Sequence, residues 1–218
     1  MSDYHLVREE QTIEWFIDTI LVRDMWTVIQ GGAGYLAFSL IAQGIELLGA
    51  LLDEQEFNDS NLSEDRFRTA LRELFPKSYT GHSTKEAEFY LYEDLRCGMA
   101  HVLRPQGRIG FIGRTEAREM RVSNLQAVNY EARKLLVLVL EDFFDDFAEA
   151  CRKAKNRIKK KSHAKLDRGY LVFYRAKRTG SDAAPTPSVG PTPETTAPTM
   201  GTITGAAFPR SPDSGSLD

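Results

Sequence analysis

The sequence is poor in cysteine and histidine. Two cysteines, Cys97 and Cys151, and four histidines occur among 218 residues. Two distant cysteines do not make the disulfide framework of a small secreted domain, so a reducing compartment, the cytoplasm, is expected. Because neither residue type recurs at the spacing of metal ligands, we predict no metal site, and we expect no cofactor.

The features of exported and membrane proteins are also missing. The first residues, MSDYHLVREE, lack the basic and apolar regions of a signal peptide. Residues 31–52 form an apolar stretch of nearly spanning length, but Gln43 and Glu46 lie inside it. An ionisable group in hydrocarbon is costly. We therefore expect a buried helix of a bundle and no membrane association.

Proline is scarce in the first 180 residues, where it occurs as Pro76 and Pro105, while the other seven prolines lie in residues 181–218. That segment alternates Pro with Ser, Thr, Gly and Ala and has no apolar periodicity. It cannot bury enough surface to offset its ordering entropy. We predict one folded domain over residues 1–178 and a disordered tail over residues 179–218.

Charge is distributed unevenly along the chain. Residues 1–151 hold 15 Lys and Arg against 26 Asp and Glu, whereas residues 152–178 hold 12 Lys and Arg against Asp167 alone. Residues 152–178, the basic arm, could bind nucleic acid through salt-sensitive phosphate contacts or fold back on the acidic body. As RNA-binding candidates we name Lys159, Lys160 and Lys161 of the arm, together with Arg104.

Apolar periodicity predicts a mainly α fold. Helices are expected from Glu10 to Ile29, from Ala33 to Leu52 after the Gly31-Gly32 break, and from the N-cap Ser63 to a point before Pro76. A fourth should begin at the N-cap Thr84 and stop before Pro105. A last helix, acidic at its start and basic at its end, should follow Leu140.

A small β element is expected between the last two helices. The glycines around residues 107–113 predict a turn and a strand from Ile109 to Ile112, with Met120 to Ser123 as its partner in a β-hairpin. The run Leu135 to Leu140 is apolar throughout and fits either a strand or a helix. A short strand from Tyr170 to Tyr174 is also predicted.

The fourth predicted helix carries the sequence EDLRCGMAH, in which Arg96 and His101 are separated by four residues. This pattern resembles the R-x4-H motif of the HEPN superfamily, small helical proteins that include metal-independent ribonucleases. The resemblance covers roughly residues 8 to 155, and its specific part is the motif itself. It implies a HEPN-like helical bundle with a small β-hairpin insertion.

The residue types suit RNA cleavage without a metal. Histidine titrates near neutral pH and can move the protons of the 2′-hydroxyl and the leaving oxygen. Arginine stays charged and can grip a phosphate with two donors. Five helical residues rotate the chain by about 500°, which leaves Arg96 and His101 about 140° apart. A symmetric dimer would bring both groups to one cleft, and the resemblance implies such a homodimer.

Two neighbours of the motif are supporting candidates. Glu93, one turn before Arg96, could hold the guanidinium or pair with it at the surface. Cys97 stands where the family usually has a polar residue, and a thiol is a weak hydrogen-bond partner. Gly98 suits a close approach of two helices, of a helix and RNA, or tight packing within one core. A Cys97–His101 thiol site is a weaker interpretation, because no orienting acid or oxyanion hole is visible.

The sequence therefore leads to one main prediction and two alternatives. The main one is a dimeric HEPN-type endoribonuclease that binds RNA, with Arg96 and His101 as catalytic residues. The resemblance suggests a role in toxin systems or phage defence, where a cognate protein partner could bind it. The alternatives are a catalytically inactive HEPN-like module that binds a partner protein or nucleotide, and a helical interaction protein unrelated to HEPN.

Overall fold

The structure is a computed structural model that describes residues 4–10, 12–106, 108–159 and 172–178, the first and last of these as backbone alone. The predicted tail lies outside the described residues. The elements with helical or strand geometry are β1 (Tyr4–Glu10), α1 (Ile13–Phe16), a π-helical stretch (Ile17–Asp24), α2 (Met25–Gln30), α3 (Gly34–Ala50), α4 (Ser63–Glu73), a second π-helical stretch (Tyr92–Cys97), α5 (Gly98–Val102), β2 (Ile109–Ile112), α6 (Arg114–Met120), β3 (Gln126–Tyr130), β4 (Arg133–Val139), α7 (Leu140–Ile158) and β5 (Val172–Arg178), with short 3-10 turns at Ser60–Leu62 and Lys77–His82. The fold is mainly helical, as the periodicity predicts.

The first helical segment runs without a break from α1 through the π-helical stretch into α2. It begins at Ile13 rather than at Glu10, because the Thr12 hydroxyl accepts the Trp15 backbone N–H at 3.1 Å and caps the first turn. It ends at the predicted glycine pair, where Gly32 has a φ of 80° that a side chain would disfavour. The chain then reverses into α3.

Helix α3 is the centre of the core. Ala37, Ile41, Ile45 and Leu48 have no exposed surface. At Gly44 a Cβ atom would lie 2.5 Å from Cζ of Phe147, so the α7 aromatic ring fills the space that glycine leaves. None of the helices among the described residues has both the length and the apolar character to cross a membrane.

Helix α4 crosses α3 at very close range. A Cβ atom on Gly49 would lie 1.9 Å from the carbonyl oxygen of Arg66, so the two backbones touch at this point. The Arg66 side chain is buried and donates to the Asp53 carboxylate at 2.7 Å and to the Phe57 and Glu56 carbonyls at 3.1 and 2.7 Å. It therefore holds the loop between α3 and α4 in place. Ser63 is the first residue of α4 and not its N-cap, which is Leu62.

The prediction of a β-hairpin is wrong about the strand that pairs with β2. Strand β2 forms where expected, but residues Arg114–Met120 continue as α6, so Met120 to Ser123 is not a strand. Strand β2 pairs in parallel with β4, and β4 pairs antiparallel with β3, which gives the order β2-β4-β3. The apolar run at residues 135–140 is accordingly the strand β4 up to Val139, and α7 begins at Leu140.

Helix α7 closes the core with an apolar face. Phe143, Phe147, Ala150 and Ala154 on this face have no exposed surface. Truncating a fully buried Phe to Ala costs about 3–5 kcal/mol, so this face is a main source of stability. The predicted dipole-matched charges are present, with Glu141 and Asp142 in the first turn and Lys155 and Arg157 in the last.

The chain ends of the described part pair with each other. Strand β1, which the periodicity did not predict, runs antiparallel to β5, with Tyr4 opposite Arg178 and Glu10 opposite Val172. The strand predicted at Tyr170 to Tyr174 is β5, and it lies two to four residues further along. Residues 172–178 of the basic arm thus form an antiparallel ribbon with β1.

Candidate active site

The helical element that carries the motif is shorter than predicted. Residues 84–90 form turns, and helical structure starts after Tyr90, whose backbone N–H donates to the Asp94 carboxylate at 2.9 Å. This bond satisfies a backbone donor that the first helical turn would leave unpaired. Thr84 is therefore not the N-cap. Arg96 lies in the π-helical stretch and His101 in α5, on one continuous helical segment.

Arg96 faces α3. Its Nε donates to Oε2 of Glu46 at 2.6 Å, and its guanidinium lies 5.7 Å from the centroid of the Tyr92 ring. Both members of the ion pair are mostly buried, with 18% of the Arg96 side chain and 19% of the Glu46 side chain exposed. Among the described residues, neither terminal nitrogen of Arg96 has a hydrogen-bond partner. One edge of the guanidinium is anchored, and the other is available to a ligand.

The carboxylate that orients Arg96 is thus Glu46 and not the predicted candidate Glu93. Glu93 is exposed, and burial, with a smaller contribution from the Glu93 charge, raises the pKa of Asp94. A sequence signal for Glu46 was present, because an acidic residue stands alone in the apolar stretch 31–52. Its partner could not be identified, because 50 residues separate it from Arg96.

Cys97 lies close enough to Tyr92 to affect its titration. Burial raises the pKa of the Tyr92 phenol, and the neighbouring Cys97 raises that pKa further. Cys97 itself is partly exposed.

His101 lies in a different environment from Arg96. It is exposed in the last turn of α5, which ends at Leu103 with a left-handed φ of 51°. Within the described part of the chain, the two side chains share no hydrogen bond and no ion pair. Arg96 is thus partly buried against α3, whereas His101 lies in solvent.

Exposed apolar side chains follow His101 and also occur near the start of α3. Val102 and Leu103, which follow it directly, are 69% and 56% exposed, and Leu36 and Leu40 of α3 are 49% and 41% exposed. The Tyr35 hydroxyl donates to the Leu103 carbonyl at 2.6 Å and brings the end of α5 against the start of α3. Leu36, Leu40, Val102 and Leu103 are called the apolar ridge below.

Gly98 is explained by packing within the domain. A Cβ atom there would lie 2.4 Å from the Arg104 carbonyl oxygen and 2.9 Å from the Gln106 nitrogen. The chain after α5 folds back over the helix, and Gln106 N–H donates to the Asp94 carbonyl at 2.7 Å. Of the three explanations that the sequence left open, the structure shows close packing inside one chain.

The basic residues near the motif differ in their engagement. Arg104, a predicted RNA contact, is exposed. Arg108 lies 3.7 Å from the Asp94 carboxylate and 5.3 Å from the Phe89 ring centroid. Burial raises the pKa of Asp94, and the Arg108 charge opposes that rise.

Residues 152–158 of the basic arm are the end of α7, and their cations bind carboxylates and carbonyls of the acidic body. Lys155 Nζ contacts the Asp18 carboxylate at 2.5 Å, and Lys153 Nζ donates to the Leu74 carbonyl at 2.8 Å. Arg157 pairs with Glu73, and Arg152 pairs with Glu149. Lys159 is exposed, whereas Lys160 and Lys161 lie outside the described residues. Over residues 152–157, the basic arm therefore folds back on the acidic body.

A cavity of about 440 Å³ lies beside Arg96 and Glu46. It is called the Arg96 cavity below. Its apolar wall comes from the first helix, from α3 and from the loop that follows α3, and its polar wall includes the Arg96–Glu46 pair. The residues that line it are Ile13, Phe16, Gln43, Glu46, Leu47, Ala50, Leu51, Phe57, Arg66 and Arg96.

Comparison with known proteins identifies no relative: no family model, no curated protein and no solved structure matches the chain.

Proposed function

We propose that the protein is a metal-independent endoribonuclease of HEPN type that acts as a homodimer in the cytoplasm. In this proposal Arg96 binds the scissile phosphate and His101 is the general acid or base. The observation that carries it is the setting of Arg96, whose Nε is anchored by Glu46 at 2.6 Å and whose side chain lines a cavity. An arginine held in this way offers two parallel donors to an oxyanion without first losing rotamer freedom.

The chemistry needs only the side chains already described. A base removes the proton of the 2′-hydroxyl, the oxygen attacks the adjacent phosphorus, and an acid protonates the leaving 5′-oxygen. Negative charge accumulates on the phosphate oxygens, and the fixed guanidinium stabilises it. Histidine is the side chain suited to both proton transfers near neutral pH. Because His101 is exposed, it can exchange protons with solvent between turnovers.

A homodimer is supported by the environment of His101. Val102 and Leu103 of the apolar ridge directly follow His101, so a second copy packed on the ridge would lie beside the His101 of the first. Burying apolar area stabilises such an association by about 25 cal/mol per Å². An isologous contact uses one surface twice, and the ridge offers one.

RNA would be held by exposed cations. Arg104 and Lys159 are exposed, and Lys160 and Lys161 continue the basic run. Each phosphate contact adds sequence-independent affinity that weakens as salt rises. A role in toxin systems or phage defence, with a cognate protein partner, belongs to the same proposal.

The experiment is cleavage of a mixed RNA pool in EDTA by the purified protein and by its His101→Ala and Arg96→Ala variants. We expect cleavage by the parent and its loss in both variants. Arg118→Ala, at an exposed position of α6, is the matched control and should cleave normally. Cleavage that survives His101→Ala would contradict the proposal, as would a parent protein that cuts no RNA.

One specific feature favours the second candidate, a catalytically inactive HEPN-like module that binds a nucleotide or a protein. Glu46 already occupies Nε of Arg96, and the adjoining cavity of about 440 Å³ has the size of a small-ligand site. Binding of RNA or nucleotide to the Arg96 cavity without any cleavage would select this candidate.

A further inference from the structure

The Arg96 cavity has one wall for an apolar body and another for an anion. Phe16, Leu47 and Phe57 contribute apolar surface, and they come from three separate segments of the chain. The polar wall carries the Arg96–Glu46 pair and the amide of Gln43, which donates weakly to the Ser39 hydroxyl at 3.3 Å. Cavities of this size and mixed lining are typical of sites for small organic groups.

The charge available to a ligand comes from Arg96. Arg66 also borders the cavity, but its guanidinium donates to Asp53 and to the carbonyls of the α3–α4 loop. It is therefore committed to its own loop. The terminal nitrogens of Arg96 have no hydrogen-bond partner among the described residues, and the Arg96 side chain lines the cavity. An occupant with a flat apolar body and one anionic group would satisfy both walls.

We infer that the Arg96 cavity holds one unstacked nucleotide of single-stranded RNA, with its base between Phe16, Leu47 and Phe57 and its phosphate on the free edge of Arg96. A base in a duplex is stacked and paired, and it cannot enter a side cavity without leaving the helix. The cavity therefore selects single-stranded RNA. This inference rests on the proposed function in one respect, since it takes RNA to be the source of the phosphate.

The first test compares two strands on one protein. The His101→Ala variant leaves the cavity lining unchanged and, under the proposed function, does not degrade the probe. A fluorescently labelled single-stranded RNA and a strand of equal length that lacks bases are titrated at one salt concentration. We expect the intact strand to bind about tenfold more tightly, as for one base held on apolar and aromatic side chains. Equal affinity for the two strands would overturn the inference.

The second test fills the cavity. Leu47→Trp in the same background places an indole in the space assigned to the base, and the advantage of the intact strand should fall to about twofold or less. The matched control is Leu52→Trp, because Leu52, just after α3, is also partly buried but lines a different cavity. The control should keep the tenfold advantage. A Leu47→Trp protein that discriminates as well as the control would overturn the inference.

Gln43→Trp replaces Leu47→Trp in this test if the melting temperature of Leu47→Trp is clearly below that of its parent. Gln43 lies at an exposed position of the cavity wall. The outcomes also separate this inference from the proposed function. Base-dependent binding that Leu47→Trp removes, in a protein that cleaves no RNA, retains the cavity assignment and refutes the nuclease. RNA cleavage that requires His101, without base-dependent binding, supports the nuclease and refutes the cavity assignment.

Discussion

The pair formed by Glu46 and Arg96 should contribute measurably to stability, and a double-mutant cycle tests this. The cycle compares the parent with Glu46→Ala, Arg96→Ala and the double variant. Each single change leaves a mostly buried charged group without its partner, whereas the double change removes both groups. We therefore expect the double variant to be less destabilised than the sum of the single variants.

The magnitude follows from the exposure of the two side chains. Exposed ion pairs contribute about 0–1 kcal/mol, and removing one partner of a buried pair costs about 3–5 kcal/mol. Because Arg96 and Glu46 are 18% and 19% exposed, an intermediate coupling of about 1–2 kcal/mol is expected. In a domain of this size, each kcal/mol lowers the melting temperature by about 2–4 °C.

The assay is equilibrium urea denaturation of the four proteins. The comparison pair is Lys134 with Glu88, whose contact of 2.7 Å is similar in length but whose side chains are 49% and 54% exposed. Its coupling should be clearly smaller. A Glu46–Arg96 coupling no larger than that of the comparison pair would refute the role of Glu46 in anchoring Arg96. His101→Ala should leave the melting temperature nearly unchanged, because His101 is exposed.

Three further outcomes are expected. Gly98→Ala should destabilise the protein by about 1–3 kcal/mol, despite the better helix propensity of alanine, because the new Cβ atom would lie 2.4 Å from the Arg104 carbonyl oxygen. Urea denaturation measures the loss, and the control is Gly81→Ala, where no atom lies within 4 Å of the new Cβ. Burial raises the pKa of Asp146, so the folded protein favours the neutral carboxyl group. The stability that this carboxyl group contributes is lost as the pH rises from 3.8, its ordinary pKa, through the pKa in the folded protein. Asp146→Asn should remove this loss, and a variant whose melting temperature depends on pH as the parent's does would contradict the expectation. Charge reversal of the three lysines at 159–161 should weaken the salt dependence of RNA binding. The slope of log affinity against log salt concentration should fall in magnitude by about 0.7 for each phosphate that the arm no longer binds, and an unchanged slope would exclude the arm from RNA binding.

Elements whose signal is local were predictable. Apolar spacing predicts the helices α3, α4 and α7, and the flanking glycines predict the strand β2. Their ends shifted where a side chain competes with the pattern. The Asp94 carboxylate, for example, accepts the Tyr90 N–H and starts the motif helix later than Thr84.

Features that depend on distant partners were not predictable. Strand β2 pairs with β4, more than twenty residues away, and α6 occupies the place of the expected hairpin partner. The ion pair between Glu46 and Arg96 spans 50 residues in the same way. Within the motif, the choice of residue types was visible in the sequence, whereas the group that orients Arg96 required the packing of α3 against the motif helix.

The close approach of α3 and α4 at Gly49 has a consequence for the space on both sides of it. A second cavity, of about 500 Å³, is lined by Leu52, Thr69 and Arg157, among others, and Leu51 and Arg66 border both this cavity and the Arg96 cavity. The two cavities thus share a partition, which is anchored where the Gly49 and Arg66 backbones touch. Any side chain at residue 49 would move that partition, so a single methyl group there would alter the shape of both cavities at once.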